Sequence, residues 1–323
     1  MNAAPLPLTV IGGFLGAGKT SLLNRWLRHA GQQRLAVLVN DFGALDIDAA
    51  LIESSAAETI ALTNGCVCCQ IGDDLSMALV RVLESGTSFD AVVIEASGVS
   101  DPGRIAQLGH ADPGLRLDSV IVLVDASTAL AQSQDPLLAD TLARPLKAAD
   151  LVVVNKCDLV DLDTRQAVAR WIESVAGPVP RFEAMHAAVP LPLLSARAMP
   201  AAHRAGVHGA GCEAHGGMDH GAQFDTWCCR PARVFRPDAL RAWLRAAPAG
   251  LLRLKGFVRC AAPAGGVEWF EVQLAGRNAS LRPLPAGVAP PDDSALVALG
   301  LRGLLPTAAL EAGLGDPTCP EAR

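Results

Sequence analysis

The chain has 323 residues, 50% of them apolar and 19% charged, with a formal net charge of −6. This length and apolar content support a sizeable core and more than one domain, and scattered basic residues on a mildly acidic chain exclude the electrostatic footprint of a nucleic-acid binder. The opening MNAAPLPLTVIGG has neither a basic n-region nor a cleavage site, and Arg116, Asp118 and Asp125 interrupt the longest apolar run, so a cytoplasmic location is expected, with no signal peptide and no membrane partner.

The first apolar run, LTVIG, reads as a buried strand, and a helix is expected from Thr20 to His29. Between them GGFLGAGKT fits G-x-x-x-x-G-K-[ST] from Gly13 to Thr20, in the strand-loop-helix setting that a phosphate-binding loop requires. Gly13, Gly16 and Gly18 let backbone N–H groups curl around a β-phosphate, with Ala17 and Ser21 in the same turn. Lys19 would neutralise β- and γ-phosphate oxygens, and the Thr20 hydroxyl would bind Mg²⁺.

A second strand, RLAVLVN, leads into Asn40-Asp41-Phe42-Gly43, the position of a segment that senses a γ-phosphate. Asp41 is the candidate sensor, reaching Mg²⁺ or an attacking water; the plainer reading is an aspartate capping a turn.

LTNGCVCCQIGDD then places Cys66, Cys68 and Cys69 within four residues, after the turn pair Asn64-Gly65 and before a helix expected from Asp73 to Glu84. Three thiolates converge there without long-range folding. Soft sulfur ligands suit Zn²⁺ or Cu⁺ and also accept Co²⁺ or Ni²⁺, and a three-cysteine set leaves a fourth position open. The alternative is that these cysteines pack as small apolar residues. All nine cysteines of the chain are read as free of structural disulfides, as in a reducing compartment.

DAVVIEAS ends in Glu95, where a buried strand would present a carboxylate to nucleotide-bound Mg²⁺, and Gly98 would let the backbone approach the γ-phosphate. After SVIVLVDAS comes LVVVNK, with Asn155-Lys156-Cys157-Asp158 at its end. A carboxylate at Asp158 can accept from guanine N1–H and the exocyclic amine, which selects GTP over ATP; Asn155 would support the loop and the base, and Lys156 would lie over the ring. Apolar runs alternating with amphipathic segments through the first 200 residues predict a doubly wound α/β sheet, mostly parallel.

Near Ala201 the chain turns into AAHRAGVHGAGCEAHGGMDHGAQ, read as a flexible linker over 201–223. His203, His208, His215 and His220 could bind Zn²⁺, Co²⁺ or Ni²⁺ as auxiliary ligands, or could simply be polar linker residues. FDTWCCRPARVF and GLLRLKGFVRC are expected as strands flanking a helix at Pro237 to Ala246, with a further strand in GVEWFEVQLAG and a closing helix from Thr307 to Ala312, giving a smaller α+β domain. Cys228 and Cys229 lie in a strand-like run with one side chain inward. His110 and His186 fall in loop-like stretches, where either could supply a remote ligand or do nothing.

In their order, GGFLGAGKT, VNDFGALDID, LTNGCVCC, VVIEASGVSDP and NKCD resemble the CobW-type P-loop GTPases of the SIMIBI class, relatives of the hydrogenase and urease nickel-insertion GTPases. FDTW, RVF and LLRLKGF extend the resemblance into a CobW-type C-terminal domain. It implies a P-loop NTPase domain at 1–200, the linker at 201–223 and the C-terminal domain at 224–323. It also implies that GTP hydrolysis to GDP and phosphate drives transfer of a metal, most often Zn²⁺ and in some branches Co²⁺, from Cys66, Cys68 and Cys69 to an apo-metalloenzyme client. Many relatives have Glu where this chain has Asp41, and another Glu at Ala44, leaving Asp46 or Asp48 as substitutes. A cobalt-handling GTPase for cobalamin synthesis and a metal buffer or regulatory GTPase without transfer stay open, as does a nucleotide- or metal-dependent homodimer. With no Gln beside Glu95 to Gly98 to position water, slow intrinsic turnover is expected.

Overall fold

Strands that must be buried on both faces need nearly continuous apolar sequence, and five runs of this chain supply it. The computed structural model describes residues 5–31, 33–40, 58–62, 71–85, 87–98, 100–195, 224–263, 265–284 and 290–315. The chain divides into two units, Met1–Leu194 and Ser195–Arg323.

In the first unit the elements run β1 (Leu6–Gly13), α1 (Lys19–His29), β2 (Leu35–Asn40), β3 (Glu58–Leu62), α2 (Ile71–Glu84), β4 (Ala91–Glu95), α3 (Pro102–Ala111), β5 (Leu115–Asp125), α4 (Ala129–Ser133), α5 (Ala139–Ala148), β6 (Leu151–Asn155), α6 (Leu162–Ala176), β7 (Arg181–Glu183) and α7 (Leu191–Leu194). A 3₁₀ turn, Cys157–Leu159, links β6 to α6. The seven strands form one sheet in the order β3-β2-β4-β1-β5-β6-β7, and every neighbouring pair is parallel. All five residues of β4 and of β6 are buried. Each fully buried Leu, Ile or Val contributes roughly 1.5–3 kcal/mol, so these strands anchor the fold.

The helices cover the sheet through apolar stripes. In α1 the buried positions Lys19, Leu22, Leu23, Trp26 and Leu27 repeat at helical spacing. Asp101 caps α3, its carboxylate accepting from Gly103 N–H at 2.9 Å with Pro102 at the first turn, and Asp161 caps α6 by accepting from Thr164 N–H at 2.8 Å. His110, expected in a loop, lies in the last turn of α3. Helix α2 begins at Ile71 rather than Asp73, and β3 and β7 are strands that the sequence reading did not assign.

In the second unit the order is β8 (Phe224–Cys229), α8 (Pro237–Arg245), β9 (Leu251–Ala261), β10 (Val267–Ala275), β11 (Asn278–Pro283), β12 (Ala295–Leu301) and α9 (Thr307–Leu314). These strands form an antiparallel sheet, β11-β10-β9-β12-β8. Its core joins Trp227, Cys229, Leu254, Val258, Val272 and Leu296 to Leu240 and Leu244 of α8 and Leu310 and Leu314 of α9. Here the sequence reading needs two corrections. The strand expected through FDTWCCRPARVF stops at Cys229, before Pro231, and Phe235 makes only a single bridge to Cys260. The edge strand β11 and the internal strand β12 are not among the elements expected from sequence.

Among the described residues no helix is long and apolar enough to cross a membrane, and Cys157 and Cys260 are buried free thiols.

Candidate functional site

Because all strands of the first sheet point the same way, their C-terminal ends share one edge, the usual place for a ligand in an open α/β sheet. The register brings Ile11 of β1 level with Glu95 of β4, Gly13 with Leu123 of β5, and Asp125 of β5 with Asn155 of β6. The connections leaving β1, β4, β5 and β6 therefore meet along that edge, and β1 is the central strand of the order.

The turn after β1 is shaped by glycine. Gly13, Gly16 and Gly18 have φ of 134°, 76° and 100°. A Cβ on Gly13 would overlap the Leu123 carbonyl oxygen, whereas one on Gly16 would meet nothing within 4 Å. Ala17 N–H donates to Phe14 O at 3.2 Å, closing the turn. Helix α1 starts from Gly18 with no side-chain cap and no acid in its first turn. Its N-terminal amides and dipole are therefore oriented for an anion. Lys19, 7% exposed, donates from Nζ to Phe14 O at 3.3 Å, which keeps its ammonium on the loop.

Thr20 follows, and its hydroxyl donates to Glu95 Oε1 at 2.8 Å. Glu95 is 1% exposed. A hydroxyl and a carboxylate beside a phosphate loop are the hard oxygen donors that Mg²⁺ takes, so the donor set fits that ion. Gly98, two residues beyond Ala96, leaves room for the phosphate loop itself: a Cβ there would lie 2.6 Å from the Leu15 side chain and 2.8 Å from its backbone nitrogen.

Asn155 ties this region to the end of β6. Its buried amide donates from Nδ2 to Ala17 O at 2.9 Å, while Oδ1 accepts from Ala187 N–H at 2.9 Å. One side chain thus links the phosphate loop to the loop after β7. Lys156, in a left-handed conformation with φ 61°, donates from Nζ to Asp125 Oδ2 at 2.6 Å. Burial alone would raise the Asp125 carboxyl, but hydrogen bonds from Lys156 and Ser127, with the Lys156 charge, hold it below its ordinary range. Asp158, in the turn after β6, has His186 Nε2 at 3.8 Å from its Oδ2. Its neighbour Cys157 is buried, and that burial raises its thiol pKa.

The structure thus places Gly13, Gly16, Ala17, Gly18, Lys19, Thr20 and Ser21 on one turn and helix start, with Glu95 bonded to Thr20 and Asn155 bonded to Ala17. Lys156 and Asp158 follow on the adjoining β6 connection. Asp41, Cys66, Cys68, Cys69, His203, His208, His215 and His220 lie outside the described residues, as do Ala44, Asp46 and Asp48. One site residue was missed: Asp125 ends a buried strand as Glu95 does, and that was the available signal. His186, read from sequence as a remote ligand or a residue with no role, stands beside Asp158, and no Gly or Asn marks its left-handed backbone.

Residues 7–182 match the family model of the CobW/HypB/UreG nucleotide-binding domain, and residues 224–317 match that of the cobalamin synthesis protein CobW C-terminal domain. The chain is similar to a zinc chaperone CobW from Sinorhizobium sp, at 32% identity over 291 residues covering 79% of this chain and 82% of that protein. It is 34% identical over 181 residues to zinc-regulated GTPase metalloprotein activator 1 of Schizosaccharomyces pombe, covering 52% and 43% of the two chains. It is also 37% identical over 163 residues to the zinc chaperone YjiA of Escherichia coli, covering 48% and 50%. The chain spans about half the length of the last two.

Proposed function

The chain belongs to the CobW/HypB/UreG family, and from that premise we propose that it hydrolyses GTP to GDP and phosphate and uses the cycle to deliver Zn²⁺ from Cys66, Cys68 and Cys69 to an apo-metalloenzyme. The observation that carries the nucleotide half is the shared strand edge. There the phosphate loop, the Thr20–Glu95 pair and the Asn155 bridge lie within one hydrogen-bonded set, with Asp158 three residues beyond Asn155.

In this reading the amides from Phe14 to Gly18 and the Lys19 ammonium hold the β- and γ-phosphates. Thr20 and Glu95 hold Mg²⁺, which when bound neutralises charge on the phosphate oxygens. Asp158 accepts from guanine N1–H and the 2-amine, while Asn155 fixes the distance between the phosphate and base loops. Asp41 is the proposed γ-phosphate sensor that couples the nucleotide to Cys66, Cys68 and Cys69. Zinc is cargo here, and coupling requires the cysteine segment to differ in zinc affinity between the GTP and GDP states. Residues 1–200 are proposed as the GTPase unit, 201–223 as a histidine-bearing linker and 224–323 as the C-terminal domain.

The test is zinc transfer to a chromogenic chelator and to an apo-enzyme client, comparing wild type with a Cys66/Cys68/Cys69→Ser triple variant. Transfer that needs hydrolysable GTP and all three cysteines supports delivery. GTP turnover without nucleotide-dependent zinc release would leave a GTPase that stores or signals, and tighter buffered Co²⁺ than Zn²⁺ binding would make the cargo cobalt.

A further inference from the structure

We infer that His186 is a specificity-positioning residue that holds the Asp158 carboxylate in the orientation that reads guanine. This rests on the proposal that Asp158 reads the base. His186 is 85% exposed on its side chain and places Nε2 3.8 Å from Asp158 Oδ2, with Asp158 itself only 25% exposed.

Apolar burial does not hold this imidazole; the backbone that carries it is fixed instead. His186 and Ala187 have φ of 51° and 53°, a consecutive pair of left-handed residues without a glycine. Such a pair persists only where its surroundings fix it. Three of the fixing bonds come from the β6 end that carries Asp158 and the residues next to it. Ala187 N–H donates to Asn155 Oδ1 at 2.9 Å, Ala184 N–H donates to Val154 O at 2.8 Å, and Cys157 N–H donates to Ala184 O at 3.1 Å. Ala188 N–H closes the turn on Met185 O at 2.9 Å. The histidine and the carboxylate are therefore mounted on one rigid piece.

Neighbouring cations are engaged elsewhere: Lys156 with Asp125 at 2.6 Å, and Arg165 with Glu183 at 3.6 Å. A carboxylate offers about four lone-pair directions. Two face the base and accept its N1–H and 2-amine, while the imidazole stands beside an outward one, 3.8 Å from Oδ2 and beyond hydrogen-bond length, and limits rotation of the carboxylate away from the base.

The experiment measures dissociation constants for GTP and for ITP, which lacks the 2-amine, on wild type and on His186→Ala, His186→Gln, His186→Phe and Asp158→Asn. Glutamine keeps an N–H donor at the distance of the imidazole Nε2. His186→Ala should weaken GTP by roughly two- to fivefold, the scale of a partly exposed electrostatic contact, and ITP by less, so the preference for GTP shrinks. His186→Gln should restore it and His186→Phe should not. Equal weakening of GTP and ITP, no change in either, or restoration by Phe but not Gln would overturn the proposal. If Asp158→Asn keeps the full GTP preference, it is the base-reading assignment that fails; if it loses the preference while His186→Ala keeps it, only the role of His186 fails.

Discussion

Lys156 Nζ donates to Asp125 Oδ2 at 2.6 Å and ties the end of β6 to the end of β5. Asp125 also accepts from Ser127, at 2.9 Å from its N–H and 2.6 Å from its hydroxyl. Despite the burial that opposes it, the carboxyl lies below its ordinary value of 3.8. A carboxyl depressed by folding stabilises above its unfolded pKa and loses that contribution as the pH falls through the lower folded value. Wild type should therefore lose more stability than Asp125→Asn as the pH falls below about 4. At pH 7 the variant should be about 1–2 kcal/mol less stable, below the usual cost of breaking a buried pair because Lys156 is one-third exposed. Urea unfolding across that range checks it, and parallel acid curves would contradict it.

Asn155 makes a second link, from Ala17 of the phosphate loop to Ala187. Truncation to alanine leaves a buried carbonyl and a buried N–H without their partner, each costing about 1–3 kcal/mol. Asn155→Ala should lower unfolding stability by about 2–4 kcal/mol and weaken GTP binding. Asn155→Asp should also be destabilised, because a carboxylate oxygen cannot donate to Ala17 O. Denaturant midpoints with and without GDP separate the two effects: a deficit that is larger with GDP reports the loss of loop alignment for nucleotide.

Two of the loop glycines, Gly13 and Gly16, should not respond alike. Gly16→Ala meets open space and carries only the penalty of a left-handed residue, about 1–2 kcal/mol, so a folded protein with weakened nucleotide binding is expected. Gly13→Ala drives a Cβ into the backbone of Leu123 in the central pair β1–β5, which no side-chain rearrangement relieves. It should fail to give a cooperative unfolding transition. Thermal denaturation of both variants checks the contrast.

What was legible in the sequence was what is local. The phosphate loop is fixed by spacing within one turn, and Glu95 and Asn155 are polar residues that end continuous apolar runs. Asp125 also ends such a run, yet its role depends on the register that sets it level with Asn155, thirty positions on, which no local pattern states. His186 needs two left-handed residues in Met185-His186-Ala187-Ala188, a stretch without the usual glycine or asparagine. In the second unit β12, ALVALGL, pairs with both β8 and β9, but its Ala and Gly positions give no period-two signal.

Glu95 is the residue on which the Mg²⁺ assignment turns. Thr20 Oγ1 donates to Glu95 Oε1 at 2.8 Å, so Glu95→Gln can keep that bond through its amide oxygen while losing the charge. The fold should survive with a change within about 1 kcal/mol. GTP affinity measured in EDTA should stay near wild type, since Lys19 and the loop amides are untouched. Mg²⁺-dependent phosphate release should fall by roughly 100-fold, and the Mg²⁺ concentration needed for half-maximal turnover should rise. Thr20→Ala should shift the Mg²⁺ requirement in the same direction, by less, because a neutral ligand is lost instead of a charged one. A Glu95→Gln protein with an unchanged Mg²⁺ requirement would move the cation to another carboxylate and leave Glu95 as an anchor for the Thr20 hydroxyl.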